Sequence, residues 1–503
     1  MKDFKKFALY VGENQIKLYG SNPRNKIDRL VNGIFSGRYV NDEDAAWDLY
    51  KSKPTNKSYL MLKSRIKEQL IGSVFNLDFK KLSFHYHLKF VLAGKYLLAG
   101  QFMMNVGLSD EGGELVKEGL SLAVAGQFTG LIVFGTRLLC SRTSFFGTRE
   151  EYKKYLNLLK SNLKIYEAEL EADDMNNDLK LDYRKTRAPL NRKKTSKYWK
   201  RISYLVKKYD NHFLKMMYAF IGTSYYESIG DYRGIIRISD EAEKYLLDNP
   251  KFYDKARHRI LSINKMEACI WLKDYDLGLK TAEACMRIFV KSNFNSLIAL
   301  ERYVMLCMHS KNYEKAWKLY NETIKLEIFS SYPLERHEIW KIFEAYLCFI
   351  KPKPASKFKL NKFLNEVPVY SKDKRGINIS IIIAQNILLI EKGNFEVLID
   401  KTDAFKAYFR RYVNKSINYR TYYFVKMLLV MFDSNFNYRK TAEESRQYFD
   451  RLGDKEGHYK GDIEALEIIP YENLWPEVLQ RLKRHEYSFQ EPTESYSKRR
   501  KVY

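Results

Sequence analysis

A turn written as Gly or Lys, then Asp or Asn, then an aromatic residue opens four similar apolar units of this 503-residue chain and constrains its fold more than any other feature. It stands in SIGDYRGIIRISDEAEKYL from Ser228, WLKDYDLGLKTAEACMRIF from Trp271, HSKNYEKAWKLYNETIKL from His309 and EKGNFEVLIDKTDAFKAYF from Glu391. The aromatic anchors Tyr232, Tyr275, Tyr313 and Phe395 are separated by 43, 38 and 82 residues, the last being about two periods. Each turn opens an apolar pattern of helical spacing. Periods of this size mark stacked helix pairs, because one pair cannot bury its own apolar face. Elsewhere too, apolar residues recur at three- and four-residue spacing, β-branched alternation is nearly absent, and the chain has eleven prolines. An all-α fold is expected throughout.

These units resemble the tetratricopeptide-repeat superfamily, whose helix pairs are joined by a turn of the Gly-Asp-Tyr kind with a small residue one turn later. Gly278 and Ala316 fit that slot, whereas Ile235 and Leu398 occupy it in the other two units, and the family's closing proline is missing. The resemblance covers residues 212–450 and implies an α-solenoid of TPR-like helical hairpins, in which the first helix of each pair lines a concave face. On that implication the inward positions are Met217, Phe220, Ile263, Ile270, Ile298, Met305 and Met308. Such a stripe suits an amphipathic helix or apolar peptide, and methionines help a groove adapt. The alternative is that a tightly wound superhelix, or the chain's own C-terminal helices, fills it.

Around the repeat block (202–450), composition and punctuation divide the remainder. Residues 1–80 read as a small helical unit of three short helices, with Ile27, Leu30 and Ile34 on one face and the third helix running from Tyr59 to Phe79. With Lys57, Lys63, Arg65 and Lys67 on or near that helix, the unit is either a helix-turn-helix or a capping bundle. Residues 81–172 form a first block of helical hairpins. There the tetrapeptide AGQF occurs at Ala99–Phe102 and at Ala125–Phe128, which suggests an internal repeat. The spacing of Leu156, Leu159, Leu163, Tyr166 and Leu170 predicts an apolar helix face needing a cover, after a break and cap at Gly147 and Thr148. The polar segment 173–201, which contains Pro189, is expected to be a loop or linker, and 451–503 a C-terminal helix with a basic tail, SKRRKVY. The uncharged run Gly119–Thr136 is either a membrane span or a buried helix. Gln127, Thr129 and its glycines favour the latter, so no membrane span is expected.

Lys and Arg outnumber Asp and Glu by 87 to 61, a net charge of +26, and a balance this basic points to polyanionic company. The excess is concentrated. Residues 181–220 hold twelve Lys and Arg against Asp182 and Asp210, a net of +10, interleaved with Tyr183, Tyr198 and Trp199. Arg184, Lys185, Arg187, Arg192, Lys193, Lys194, Lys197, Lys200 and Arg201, with Trp199, are therefore candidate nucleic-acid contacts: cations for phosphates and a ring for an unpaired base. The competing reading is a solvated charged segment.

Signals for enzyme chemistry are few. The sequence has no phosphate-cradling G-x-x-x-x-G-K-[ST], no H-E-x-x-H and no G-x-S-x-G. Gly112 and Gly113 sit among acidic residues and suit a helix break led by Ser109 or Asp110. His85 and His87 are two apart, which places them on different faces of a helix, so no metal is expected. Cys269 and Cys307, each six residues before an anchor tyrosine, suit buried packing positions. Five cysteines without a close pair and an N-terminus lacking a long apolar stretch fit a cytoplasmic protein. The expectation is a non-enzymatic scaffold or adaptor, without cofactor, that binds a protein or peptide, the alternative being a nucleic-acid-binding regulator using 181–220 and the N-terminal helices.

Overall fold

The computed structural model describes residues 25–36, 38–39, 41–74, 85–186, 191–288, 294–331, 334–351, 363, 377–415, 419–453 and 467–490. Among them are twenty α-helices, three short 3-10 turns and no strand. In chain order the helices are α1 (Lys26–Phe35), α2 (Asp42–Tyr50), α3 (Lys57–Val74), α4 (His85–Asn105), α5 (Ser109–Gly126), α6 (Thr129–Phe146), α7 (Arg149–Thr186), α8 (Arg192–Lys208), α9 (His212–Ser228) and α10 (Tyr232–Asp248). There follow α11 (Lys255–Leu272), α12 (Tyr275–Arg287), α13 (Phe294–His309), α14 (Tyr313–Thr323), α15 (Leu334–Ile350), α16 (Ile377–Glu391), α17 (Phe395–Tyr412), α18 (Tyr419–Asp433), α19 (Tyr438–Asp450) and α20 (Tyr471–Gln490). The chain divides into two compact units, one of residues 1–170, 211–213 and 246–254, the other of 171–210, 214–245 and 255–503.

A single backbone device joins the hairpins of both units. At seven helix ends the same turn is built on a left-handed residue: Gly107, Gln127, Gly230, Lys273, Lys311, Gly393 and Asn435. The amide of the following residue then donates to the carbonyl five residues back, from Leu108, Phe128, Asp231, Asp274, Asn312, Asn394 and Phe436, at 2.8–3.0 Å. These bonds satisfy carbonyls that a helix end otherwise leaves orphaned and turn the chain sharply into the next helix. The Asp231 and Asp274 side chains accept from the Gly234 and Leu277 amides and so cap the helices that follow. The recurrent Asp/Asn-aromatic signature is thus the written form of this turn. Cys269 and Cys307 are the residues whose carbonyls accept the long bond.

In the first unit, α1–α3 close around Leu30, Ile34, Tyr39, Leu49, Tyr59 and Ile66. Asn25 and Asn41 cap α1 and α2, accepting from the Asp28 and Asp44 amides at 2.9 Å. The third helix ends at Val74; residues 75–79 of the expected span, like the N-terminal residues 1–24, lie outside those described. Further along, α4 and α5 cross on glycine. A Cβ on Gly100 would stand 2.6 Å from the Gly112 carbonyl oxygen, and one on Gly112 2.7 Å from that of Gly100. Gly112 and Gly113 therefore lie inside α5 as packing residues, and the break falls earlier, at Gly107. The uncharged run Gly119–Thr136 is likewise two helices. It is cut by the turn at Gln127, where it was expected to be one buried helix. Among the described residues no helix is long and apolar enough to cross a membrane. The two AGQF copies are not equivalent, since the first lies within α4 and the second runs into a turn.

Thr148 caps α7 as expected, its Oγ1 accepting from Glu151 N while Glu151 Oε2 accepts from Thr148 N. The face of α7 is corrected: Leu163 and Leu170 are exposed, and the buried side is Asn162, Ala168, Ala172, Met175 and Leu179. Near the start of the same helix system, Glu169 Oε1 accepts from Thr129 Oγ1 at 2.5 Å and from Asn211 Nδ2 at 2.8 Å, and Gln127 Oε1 accepts from the His212 amide at 2.6 Å. Burial pushes the Glu169 carboxyl up, partly offset by those two donors.

From α11 to α20 consecutive helices pack as neighbours, and α11 also packs on α13, the stacking of a helical-repeat, solenoid-like fold. The small-residue slot works as a close contact: a Cβ on Gly278 would lie 2.5 Å from Leu306, and Ala316 is fully buried. The terminal helix α20 is part of this core. Leu474, Trp475, Val478 and Leu482 are buried, and α20 packs on α16, α18 and α19. The segment 173–201 is corrected as well. Residues 173–186 continue α7 and 192–201 begin α8, because their cations and carboxylates pair across two helices; 187–190, with Pro189, lie outside those described.

Candidate functional site

The helix α8 begins under an asparagine cap. Asn191 Oδ1 accepts from the amides of Lys193 and Lys194 at 3.0 and 3.3 Å. Thr195, Ile202 and Leu205 bury one face. Beside them Trp199 is partly exposed, its ring centroid 4.5 Å from that of Tyr218 and stacked on Tyr225 at 5.6 Å with 7° between planes. A Cβ on Gly222 would stand 2.7 Å from this indole. Trp199, expected as a platform for a base, stacks on the chain's own rings within a partly exposed aromatic cluster. The exposed aromatic on α8 is Tyr204, which is 50% exposed.

The cations of α8 fall into two sets. Lys194 bridges Asp178 and Asp182 at 2.5 and 2.7 Å, and these carboxylates, working against burial, raise its pKa. Tyr198 donates to Asp178 at 2.6 Å. Arg201 grips Glu171 with two bonds, at 2.6 and 2.7 Å, which raises its pKa too. Arg192, Lys193, Lys197, Lys200, Lys207 and Lys208 form the second set: they are exposed, and none of them makes an ion pair among the described residues. With helical rotation of 100° per residue, Lys193, Lys197, Lys200, Arg201, Tyr204, Lys207 and Lys208 share one face, without a carboxylate in the helix. The side chains of Arg184 and Lys185, and the whole of Arg187, lie outside the described residues.

No protein-family model matches the chain, and no curated protein or solved structure was found similar to it.

The stripe counted back from the anchors is placed differently from its expected role. Met217, Ile263, Met305 and Met308 are buried, and Phe220, Ile270 and Ile298 are only partly exposed. Ile263, Met305 and Met308 belong to the main core of the second unit, and Ile270 and Ile298 pack against it. Partner contact through the four buried side chains is thus corrected to core packing. The residues of α11 and α13 that keep some exposure include Asn264, Glu267, Trp271 and Arg302, a more polar lane that counting apolar spacing could not find. Arg302 bonds Glu267 at 3.2 Å. Next to them, burial and the Glu267 charge push the Glu227 carboxyl up to about 7, against the pull of Arg302.

Other candidates resolve locally. Lys57, Arg65 and Lys67 of α3 are exposed, but Lys63 pairs with Asp42 at 2.7 Å and α2 opens with three acids, Asp42, Glu43 and Asp44. His87 lies 3.0 Å from Asp254, and the His85 side chain is outside those described. No group of three His, Cys, Asp or Glu among the described residues is arranged to hold a metal. Cys269 and Cys307 are fully buried, and burial pushes both thiols up to about 12, far from nucleophilic range.

Proposed function

We propose that this chain is a non-enzymatic, TPR-like helical-repeat scaffold whose working surface is the basic face of α8 and whose partner is a polyanion. One observation carries the reading: Lys193, Lys197, Lys200 and Lys207 are held on one face of a capped, well-anchored helix and left without ion pairs among the described residues. Cations in that state release counterions when they meet phosphates or a run of carboxylates. Lys194 and Arg201, by contrast, anchor α8 to α7 through Asp178, Asp182 and Glu171.

A protein or peptide partner, the second reading, is favoured by Leu98, Phe102 and Val106, which are exposed along and just beyond α4. A single experiment separates them. The four lysines are changed together to glutamine, and the salt needed to elute each protein from heparin is measured beside its unfolding temperature. The scaffold reading expects unchanged unfolding and a clearly earlier elution, whereas elution at the wild-type salt removes α8 as the surface. Partners captured from cells that resist nuclease and bind the glutamine variant equally well point to α4.

A further inference from the structure

Resting on the polyanion reading of α8, we infer that this face binds single-stranded nucleic acid, with Tyr204 as a stacking platform for an unpaired base. Tyr204 sits amid the cationic face, half exposed, with the Arg201 guanidinium 5.3 Å and the Lys208 ammonium 5.7 Å from its ring centroid. Both contacts are exposed cation–π pairs, weaker than the stacking of a base on an aromatic ring. A base arriving at Tyr204 displaces Lys208 toward a phosphate. Arg201 stays in place, held by its two bonds to Glu171.

Duplex offers this surface less. Its bases are already stacked, so Tyr204 gains nothing there, and a helix entering the major groove must present groups that read base edges. On the exposed face of α8 the lysines could reach guanine edges, but Arg201 is tied to Glu171 and no Asn, Gln or acid is present to read adenine or cytosine. Along its α7 side run Glu171, Asp178 and Asp182, whose charges would confront the second phosphate ridge of a groove. Cations that track a backbone, plus one ring that accepts any base, describe binding to a single strand with little sequence preference. An acidic protein segment could meet the lysines but would find no use for the ring.

The test is fluorescence anisotropy of the full chain with labelled 20-nucleotide oligo-U and oligo-dT, a 20-base-pair duplex and an oligoglutamate peptide, all at one salt concentration. Both single strands are expected to bind at least about tenfold more tightly than the duplex or the peptide, because they alone add stacking to charge. Tyr204→Ala is expected to weaken single-strand binding about five- to a hundredfold, Tyr204→Leu by a similar factor, and Tyr204→Phe little. Since Tyr204→Leu keeps the apolar bulk, it guards against loss through misfolding. Equal binding of duplex or peptide, or no loss in Tyr204→Ala and Tyr204→Leu, overturns the single-strand inference while leaving the polyanion reading intact. Failure of every polyanion to bind overturns both.

Discussion

The helices α8 and α20 use their cations in opposite ways. Around α20, Arg481 is almost fully buried; it bonds Glu391 at 3.0 Å and the Phe349 carbonyl at 3.0 Å, and it also pairs with Glu477. Arg420 from α18 does the same for the segment leading into α20, bonding both Glu467 oxygens at 2.9 and 2.7 Å, the Leu452 carbonyl at 2.7 Å, and Glu472. On α8 every lysine but Lys194 is exposed, and its ion pairs lie at least partly in solvent. A desolvated cation must be paired in the native state or the fold fails, so it specifies structure; a hydrated one contributes little to folding and is available to a ligand. Location of charge, more than its amount, separates the part that holds the molecule together from the part that can bind.

The sharpest way to break this contrast is Arg420→Met. Removing the guanidinium leaves Glu467 and Glu472 without their shared partner, and stability should fall by about 3–5 kcal/mol, measured by urea unfolding. The acid limb should show the same network. Although burial alone would raise it, Arg420 and Lys273 hold the Glu472 carboxyl at about 2, below its ordinary value of 4.5. A depressed carboxylate adds stability above about pH 4.5 and loses it as pH falls toward 2. Oligonucleotide affinity of the folded variant should not change. If it drops as far as stability does, the division between structural and binding cations is wrong.

A smaller effect is expected at Glu227, where a charge is silenced by a proton in place of a partner. Its folded pKa of about 7 lies above the ordinary 4.5, so the native state binds the extra proton and loses stability as pH rises from about 4.5 through 7. Glu227→Gln should flatten that slope, which amounts to about 3 kcal/mol, in unfolding measured between pH 4 and 8. An unchanged slope would assign the pH dependence to another group.

The hairpin turns were legible in the sequence because the left-handed residue, the Asp or Asn and the packed aromatic are all local demands of one backbone motif. Where the demand was met differently, the signal vanished: Gly107-Leu108 and Gln127-Phe128 make the same turn with no Asp and no tyrosine after it. Faces were harder than elements. Apolar spacing marked Leu163 and Leu170 on α7 and the Met and Ile stripe of α9, α11 and α13, yet which side of a helix is covered depends on distant neighbours. Glycine and alanine decide that question by permitting close approach, as at Gly100 and Gly112. The basic segment was visible as composition, but its sorting was not. Lys194 and Arg201 find carboxylates two to three turns apart on α7, and Trp199 stacks on Tyr225, only once neighbouring helices lie side by side.

The smallest expected effect probes the boundary between the two kinds of cation, since Arg201 anchors α8 yet is 46% exposed and stands beside Tyr204. An exposed pair of this type is worth only about 0.2–1 kcal/mol, so Glu171→Gln should hardly alter unfolding. It does alter the field on the binding face. One negative charge a few ångströms from an incoming phosphate costs somewhat under about 1 kcal/mol in water-like surroundings, less as salt screens it. Single-strand affinity should therefore rise by about two- to fivefold at low salt, and the gain should shrink as salt is added. A loss of affinity would mean that Glu171 matters chiefly by fixing Arg201 in a productive position, and Arg201 would then belong with the structural cations of α20 rather than with the lysines around it.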